Sequence, residues 1–226
     1  RNYCFRSGRC STFRRQGGAC DRQPTEGIAV ARTIAKDYDE KRGQILKTAA
    51  KVFAESGFDR ASMSQLAKAC NISKANIYHY YDSKDALLFG VLDTYLRELR
   101  DRLMNVNGAG LTPADHLREL VNEVLMAYHG ADDEHRVQAA GISSLTAEQQ
   151  KMLRGYQRDM VEQMSDIVKA ITPAKYTQNP QRLLETTMSI YGMLNWYYMW
   201  NRDPSEEARI NYAKTVTDLV LNGIKD

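Results

Sequence analysis

Lys74, Ala75, Tyr78 and His79 are the residues whose types and spacing speak most directly of chemistry. On a helix of 3.6 residues per turn they share one face, offering a cation, a small residue that permits close approach, and two rings with hydrogen-bonding tips. Such a face suits the major groove of duplex DNA, where Lys, His and Tyr can meet base edges and phosphates. The competing reading makes Tyr78, His79, Tyr80 and Tyr81 a packed aromatic cluster. Four consecutive rings cannot all point inward from one helix, so only Tyr81 is assigned to the interior.

A second dense group, His129, Asp132, Asp133, Glu134 and His135, has the residue types of a metal site. Gly130 and Ala131 make it read as a flexible, solvated polar loop, without two histidines held four residues apart on a helix. No metal and no cofactor are expected. A nucleophile elbow, a glycine-rich phosphate loop and a His-Glu helix motif are all missing, so the chain is read as a non-enzyme. A helical protein-interaction module without specific DNA binding is the rival reading, and it leaves the Lys74, Tyr78 and His79 face unexplained.

Charge distribution supports a nucleic-acid partner. The 226 residues carry a net charge of only +3. Residues 1–36 hold eight Arg and Lys against Asp21 and Glu26, a balance of +6, so the remainder is acidic. Within that remainder, residues 41–84 carry eight basic side chains against Glu55, Asp59 and Asp82, a local +5. A basic segment inside an acidic body marks a phosphate-facing surface. There is no apolar run of the length a bilayer requires, and arginines stand where a signal peptide would need its apolar stretch. The chain is therefore read as cytoplasmic, with no membrane partner. Cys4, Cys10 and Cys20 crowd the N-terminus and imply no disulfide framework or zinc site. Cys70 reads as a small buried residue rather than a redox switch.

The elements that must position this face are helices, and the predicted fold class is all-α. Residues 1–36 lack apolar periodicity and are expected to form a disordered basic leader. From Asp39 onward, apolar residues recur at three and four. Ile45, Leu46, Ala49, Val52 and Phe53 form the stripe of a first helix that ends at Gly57, a residue able to adopt the left-handed cap. Ser62 with Gln65 makes a capping box that opens a short second helix running to Cys70. Asn71 turns the chain, Ser73 caps a third helix, and Asp82 or Ser83 opens a fourth that runs to about Val106. Leu66, Ala67, Cys70, Ile72, Ile77 and Tyr81 can face inward together over helix one, giving a three-helix unit with a helix-turn-helix. Beyond the break at 107–111, Thr112-Pro113, Thr146 with Gln149, Asn179-Pro180 and Asp203-Pro204 each mark a helix start.

The pattern across Ile45 to Leu92 resembles the TetR family of bacterial one-component repressors. The residues carrying it are Met63-Ser64-Gln65-Leu66-Ala67, Ile72-Ser73-Lys74-Ala75-Asn76-Ile77-Tyr78-His79-Tyr80-Tyr81 and Ser83-Lys84-Asp85-Ala86-Leu87. The resemblance implies a DNA-binding domain at residues 37–83 and a helical-bundle ligand-binding and dimerisation domain at residues 84–226. It implies DNA contacts from Ser62, Ser64, Ser73, Lys74, Ala75, Asn76, Tyr78, His79 and Tyr80, and a phosphate contact from Lys84. Met63 stands where a phosphate-contacting Thr is common, which shifts that expectation to Ser62 and Ser64; Asn71 stands where Gly is usual.

In the remaining chain, Leu153, Tyr156, Met160, Met164, Ile167 and Ile171 form one stripe, with Arg154 and Arg158 beside it, serving either a plain core or a malleable pocket. Leu183 to Trp200 is apolar nearly all round. One face carries Leu184, Thr187, Tyr191, Leu194 and Tyr198, the other Ile190, Met193, Tyr197 and Trp200. A helix of this kind must be covered on both sides, and a second subunit is the natural second cover. With the stripe of the last helix it predicts a homodimer seam through Met188, Gly192, Trp200, Ile210, Ala213, Thr217, Val220 and Leu221, and so a palindromic operator. Gly192-Met193-Leu194-Asn195-Trp196 followed by Trp200-Asn201-Arg202 is similar to the segment found in TetR-type regulators that respond to acyl-CoA or aryl-CoA thioesters. The effector is accordingly expected among Leu103, Tyr128, Tyr156, Arg158, Met160, Met164, Tyr191, Leu194, Asn195 and Trp196.

Overall fold

The structure is a computed structural model that describes residues 26–173 and 178–223, with side chains from residue 36 onward. The described residues fall into two units, one ending at Asp39 and the other beginning at Glu40. Of the first unit, residues 26–39 are helical. The basic leader expected at 1–36, with Cys4, Cys10 and Cys20, lies outside the described residues as far as residue 25. Residues 26–36 of that stretch are assigned as helix. Between Gly27 and Gly43 the chain has no Gly or Pro and carries Ala29, Ala31 and Ala35, so helix propensity operates where amphipathic periodicity is absent.

Nine α-helices and no strands are found among the described residues. α1 spans Glu26–Ser56, α2 Met63–Ala69, α3 Lys74–Tyr80, α4 Lys84–Met104 and α5 Pro113–Ala127. α6 spans Asp132–Gly141, α7 Ala147–Ile171, α8 Pro180–Trp200 and α9 Glu206–Gly223, with a 3₁₀ turn at Ile142–Ser144 after α6. No described helix is long and apolar enough to cross a membrane.

Local chemistry accounts for most of these boundaries. Gly57 ends α1 with φ 78°, the left-handed cap the sequence led us to expect, and Asn71 makes the α2–α3 turn with φ 53°. Ser62, Ser73, Ser83, Thr112, Thr146 and Asn179 each accept a backbone N–H in the first turn of the helix that follows, and each cap contributes about 1 kcal/mol. The reciprocal capping box forms at Thr146 and Gln149. At Ser62 only half of it forms, because the Gln65 amide donates to Ser56 Oγ at 3.2 Å and ties α2 to the end of α1. The last helix starts at Glu206 rather than at Asp203-Pro204, because Ser205 takes the capping role and Asp203 accepts the Ser205 N–H at 2.9 Å.

One continuous apolar core runs from Ile45, Ala49 and Phe53 of α1, through Leu66 and Ile77, to Leu88 and Leu92 of α4 and on to Val216 of α9. α4, α5, α7 and α8 pack against one another around it, and α9 lies on α5. Tyr81 closes the three-helix unit against α4 at Gly90, where an added Cβ would stand 3.0 Å from both the Leu46 and Tyr81 side chains. Cys70 is half-buried, and burial pushes its thiol up. Arg209, only 4% exposed, donates to Leu125 O at 3.4 Å and approaches Asp132 at 3.6 Å, pinning α9 to the end of α5 and the start of α6.

Candidate nucleic-acid interface and internal cavity

α2 and α3 are each two turns long and meet at Asn71. Met63, Leu66, Ala67, Ile77 and Tyr81 are buried, so the inner side of the pair is fixed by packing. Lys74, Ala75, Asn76, Tyr78 and His79 are exposed on the outer side, Tyr78 at 42%, and Tyr80 is half-buried. The His79 and Tyr80 rings meet edge-on at 5.5 Å. Ser62 and Ser64 stand exposed at the start of α2, whereas Met63 turns into the core. Ser73 is exposed, and its Oγ accepts the Asn76 N–H at 3.0 Å.

Lys84 is tied down locally. Its ammonium donates to Phe58 O at 2.7 Å and Asp59 O at 3.1 Å and lies 4.4 Å from the centre of the Phe58 ring. Two of its three protons therefore hold the α1–α2 loop. Arg42, exposed on α1 with its guanidinium 5.5 Å over the Tyr81 ring, adds a cation behind α3. Sequence reasoning counted Arg42 only as charge, because its partner is 39 residues away.

A cleft of about 200 Å³, open on one side, lies among α4 to α8. Leu99 of α4, Tyr128 at the end of α5, Gln138 of α6, Gln157, Met160 and Val161 of α7, and Met188, Tyr191 and Asn195 of α8 line it. Larger clefts are also present, one of about 420 Å³ beside Arg60 and Arg136. Of the expected ligand residues, Tyr128, Met160, Tyr191 and Asn195 line this cleft. The others are placed elsewhere. Leu103, Met164 and Leu194 are sealed in the core. Tyr156 donates to Asp93 at 3.1 Å and packs under Arg100, between α7 and α4. Arg158 is exposed away from the cavity, Arg154 bonds Gln150 at 3.0 Å, and Trp196 is 59% exposed on the outer face of α8. Gln138 and Gln157 carried no sequence signal: an uncharged amide on a helix is compatible with any face, and α6 read as a loop.

That loop reading is corrected. Asp132–Gly141 is a helix whose first turn holds Asp132, Asp133 and Glu134, where acidic side chains favour the helix dipole, and His135 is only 7% exposed. His135 Nε2 faces Asn195 O at 3.2 Å, and a carbonyl only accepts, so the proton sits on Nε2. Nδ1 then accepts from the Tyr95 hydroxyl at 3.0 Å. Burial holds the imidazole below its ordinary pKa and in the neutral form. The Tyr128 hydroxyl donates to Asn195 Oδ1 at 2.7 Å. Tyr95, His135, Asn195 and Tyr128 thus form one buried chain of hydrogen bonds from α4 through α6 and α8 to the cavity wall.

The outer face of α8 and α9 is apolar and exposed. Leu184, Met188, Gly192, Trp196, Met199 and Trp200 follow helical spacing along α8, with Ile210 and Leu219 on α9. Of the expected seam, Met188, Gly192, Trp200 and Ile210 are on this face, and Leu221 is half-buried. Ala213, Thr217 and Val220 are buried within the chain, because that stripe of α9 faces α5; they are corrected from seam to core.

Comparison with known proteins agrees with this architecture. A family model described as bacterial regulatory proteins, tetR family, matches residues 45–91. A second, described as the C-terminal domain of tetracyclin repressor-like proteins, matches residues 110–224, half of the chain. The HTH-type transcriptional regulator HbdR of Aromatoleum sp. (strain CIB) is 25% identical over 188 residues, covering 80% of this chain and 77% of that one. Other curated relatives match over a shorter stretch, and the chain spans 28% of the length of one that is 38% identical over 80 residues. A TetR-family transcriptional regulator from Bordetella parapertussis superposes with a TM-score of 0.75 at 29% identity, covering 80% of this chain and 94% of that one. AibR, solved in complex with isovaleryl coenzyme A and operator DNA, shares the fold with a TM-score of 0.65 at 20% identity, covering 80% and 98%. The chain belongs to the TetR family of bacterial transcriptional regulators.

Proposed function

We propose that the chain is a cytoplasmic repressor that binds a palindromic operator as a homodimer and is released by a small molecule held in the α4–α8 cavity. In this reading residues 37–83 form the DNA-reading domain and residues 84–226 the sensing and pairing domain. The observation that carries it is α3: Ile77 and Tyr81 are buried beneath a face on which Lys74, Ala75, Tyr78 and His79 are exposed. That is the geometry by which a recognition helix enters a major groove, while Ser62 and Ser64 at the start of α2 meet the backbone. The exposed stripe from Leu184 to Trp200 supports pairing, since a monomer gains nothing by showing water two tryptophans on one helix. A twofold axis there would set two α3 helices against successive major grooves.

The hydrogen-bond chain supports a route for release. A ligand that engages Asn195 or Tyr128 competes with their 2.7 Å bond and disturbs the acceptor that fixes the His135 tautomer. His135 holds Tyr95, and α4 carries Tyr95 at one point and begins beside α3 at Lys84. An acyl-CoA or aryl-CoA thioester is the effector class we propose. The isovaleryl coenzyme A bound to the fold neighbour AibR supports that class. Here only the acyl or aryl part would enter, since no arginine lines the cavity.

The test is binding of the purified chain to duplex from the region upstream of its own gene and to random duplex, across a salt series. Specific binding that His79→Ala abolishes supports the proposal. Equal affinity for both duplexes, unchanged by His79→Ala in a folded variant, sinks it.

A further inference from the structure

We propose that Lys84 is a positioning residue for operator binding: its ammonium clasps the α1–α2 loop, closes the helix-turn-helix segment into a ring and so sets α2 against α3. It works through that clasp rather than as a ligand of DNA phosphate. The inference rests on the reading of α2 and α3 as the DNA-facing surface, and it departs from the phosphate contact that the family resemblance implies for this lysine.

The clasp spans the whole reading segment. Lys84 is the first residue of α4, and its hydrogen bonds to Phe58 O at 2.7 Å and Asp59 O at 3.1 Å reach 26 and 25 residues back along the chain. From Lys84 the chain leads back through Ser83 and Asp82 to Tyr81, the cap that ends α3. From Asp59 it leads forward through Arg60 and Ala61 to Ser62, the cap that opens α2. The two bonds therefore join the outer ends of the α2–α3 pair. Phe58 anchors the clasped loop in the core, its ring edge-on to Phe53 at 5.5 Å. A displacement of the first turn of α4 is thus delivered to the turn that carries Ser62 and Ser64.

The lysine and the loop satisfy each other. Lys84 is half-buried, and its Nζ lies 4.4 Å from the centre of the Phe58 ring as well as on the two carbonyls. Among the described residues, neither Phe58 O nor Asp59 O accepts a second hydrogen bond. Bonds from a charged donor are the stronger kind, and a part-buried carbonyl that loses its donor is left with a desolvation cost. A cation in the first turn of a helix opposes the helix dipole, so α4 itself gives the lysine nothing; the two carbonyls do. Lys74 is the contrast: it is exposed and makes no hydrogen bond or ion pair with the described residues, as a side chain held for phosphate would.

The clasp bears on DNA because α2 and α3 must meet one duplex together, the start of α2 at the backbone and α3 in the groove. The two roles open to Lys84 leave different marks. A phosphate ligand releases counterions, and its loss lowers the salt slope of binding by about one. A clasp releases none, so its loss weakens binding alike at every salt concentration and leaves the slope unchanged.

The experiment uses the full chain, Lys84→Met, which keeps the length of the stem, and Lys84→Arg, which keeps charged donors at its end. In the DNA-free proteins, Lys84→Met is expected to lower the hydrogen-exchange protection of the α2 amides roughly tenfold, the scale of leaving a carbonyl without its donor, while the α5 amides are unchanged. Affinity for duplex from the region upstream of the gene is expected to fall by a similar factor at every salt concentration, with the slope kept, and Lys84→Arg to restore both in part. A slope lower by about one in Lys84→Met overturns the proposal, since Lys84 is then a phosphate ligand. Unchanged protection of α2 overturns it too, since the clasp then positions nothing. If Lys84→Met does not fold, acylation of the unaltered chain with N-hydroxysuccinimidyl acetate, read by mass spectrometry, decides. Lys84 is expected to react slowly with and without duplex, and Lys74 to react fast and be shielded by duplex; a Lys84 that reacts as fast as Lys74 in the free chain and is shielded by duplex overturns the proposal. An unaltered chain that binds no duplex overturns the repressor reading, and amide exchange in the DNA-free proteins tells that result apart from a failure of the clasp.

Discussion

The Tyr95 hydroxyl on α4 donates to His135 Nδ1 on α6 across 3.0 Å, joining the helix that leads to the DNA-reading unit to the helix that backs the cavity. Both groups are buried, so the bond has no water to replace it. Tyr95→Phe keeps the ring and removes the donor, leaving Nδ1 unsatisfied. It should destabilise the chain by about 1–3 kcal/mol, and by the proposed route it should blunt the response to effector more than it changes affinity for operator. Titrating operator release in both proteins checks this; equal release curves would remove Tyr95 from the route.

His135 should also make stability depend on pH. Burial lowers its pKa in the folded chain, so the unfolded chain binds the proton more readily. The stabilising difference is complete above the unfolded value of about 6.5 and is lost as pH falls through that value toward the folded one. Glu134 beside it is shifted up by burial, which acts with the opposite sign at its own, lower pH range. Melting temperature should fall between about pH 7 and about pH 5.5, the window just spanning the unfolded histidine value. His135→Phe, although less stable at neutral pH, should show a smaller fall. An equal fall in both proteins would clear His135 of the effect.

Gly90 is the joint between the three-helix unit and α4. A methyl there would stand 3.0 Å from Leu46 Cδ2 and Tyr81 Cε1. Those side chains must give way, and overpacking of this kind costs about 1–3 kcal/mol. Gly90→Ala should lower the melting temperature by about 2–4 °C per kcal/mol for a chain of this size. No change on thermal denaturation would mean that the interface has slack the packing does not show.

Trp196, 59% exposed, stands on the outer stripe of α8. Trp196→Glu should convert a dimer into a monomer in sedimentation velocity while the helical circular dichroism stays unchanged. Thr217→Val, within the chain's own core, should not change the mass. A Trp196→Glu protein that still sediments as a dimer would move the seam elsewhere.

How much of this the residues reveal unaided depends on how far away their partners lie. The turn at Asn71, the cap at Gly57 and the inward side of α3 were legible because each is settled within a few residues by φ preference, capping chemistry or helical period. The sequence of α6 reads as a loop because its first polar residues follow Gly130, and the burial of His135 depends on Tyr95 and Asn195, 40 and 60 residues away. Periodicity marked α8 and α9 as apolar on more than one side but could not say which side α5 covers, so Ala213, Thr217 and Val220 went to the wrong face. Trp196 was placed in the cavity for a related reason: it is next to Asn195 in sequence, and one step along a helix turns a side chain by about 100°.

The central claim is that α3 reads DNA through Lys74, Tyr78 and His79. Affinity for duplex from the gene's upstream region, measured against random duplex for the wild-type chain, His79→Ala and Lys74→Ala over a range of salt, tests it directly. His79→Ala should lose discrimination between the duplexes by about 1–3 kcal/mol, and Lys74→Ala should weaken binding to both and lower the salt slope by about one. Folded variants that bind both duplexes as the wild type does would contradict it.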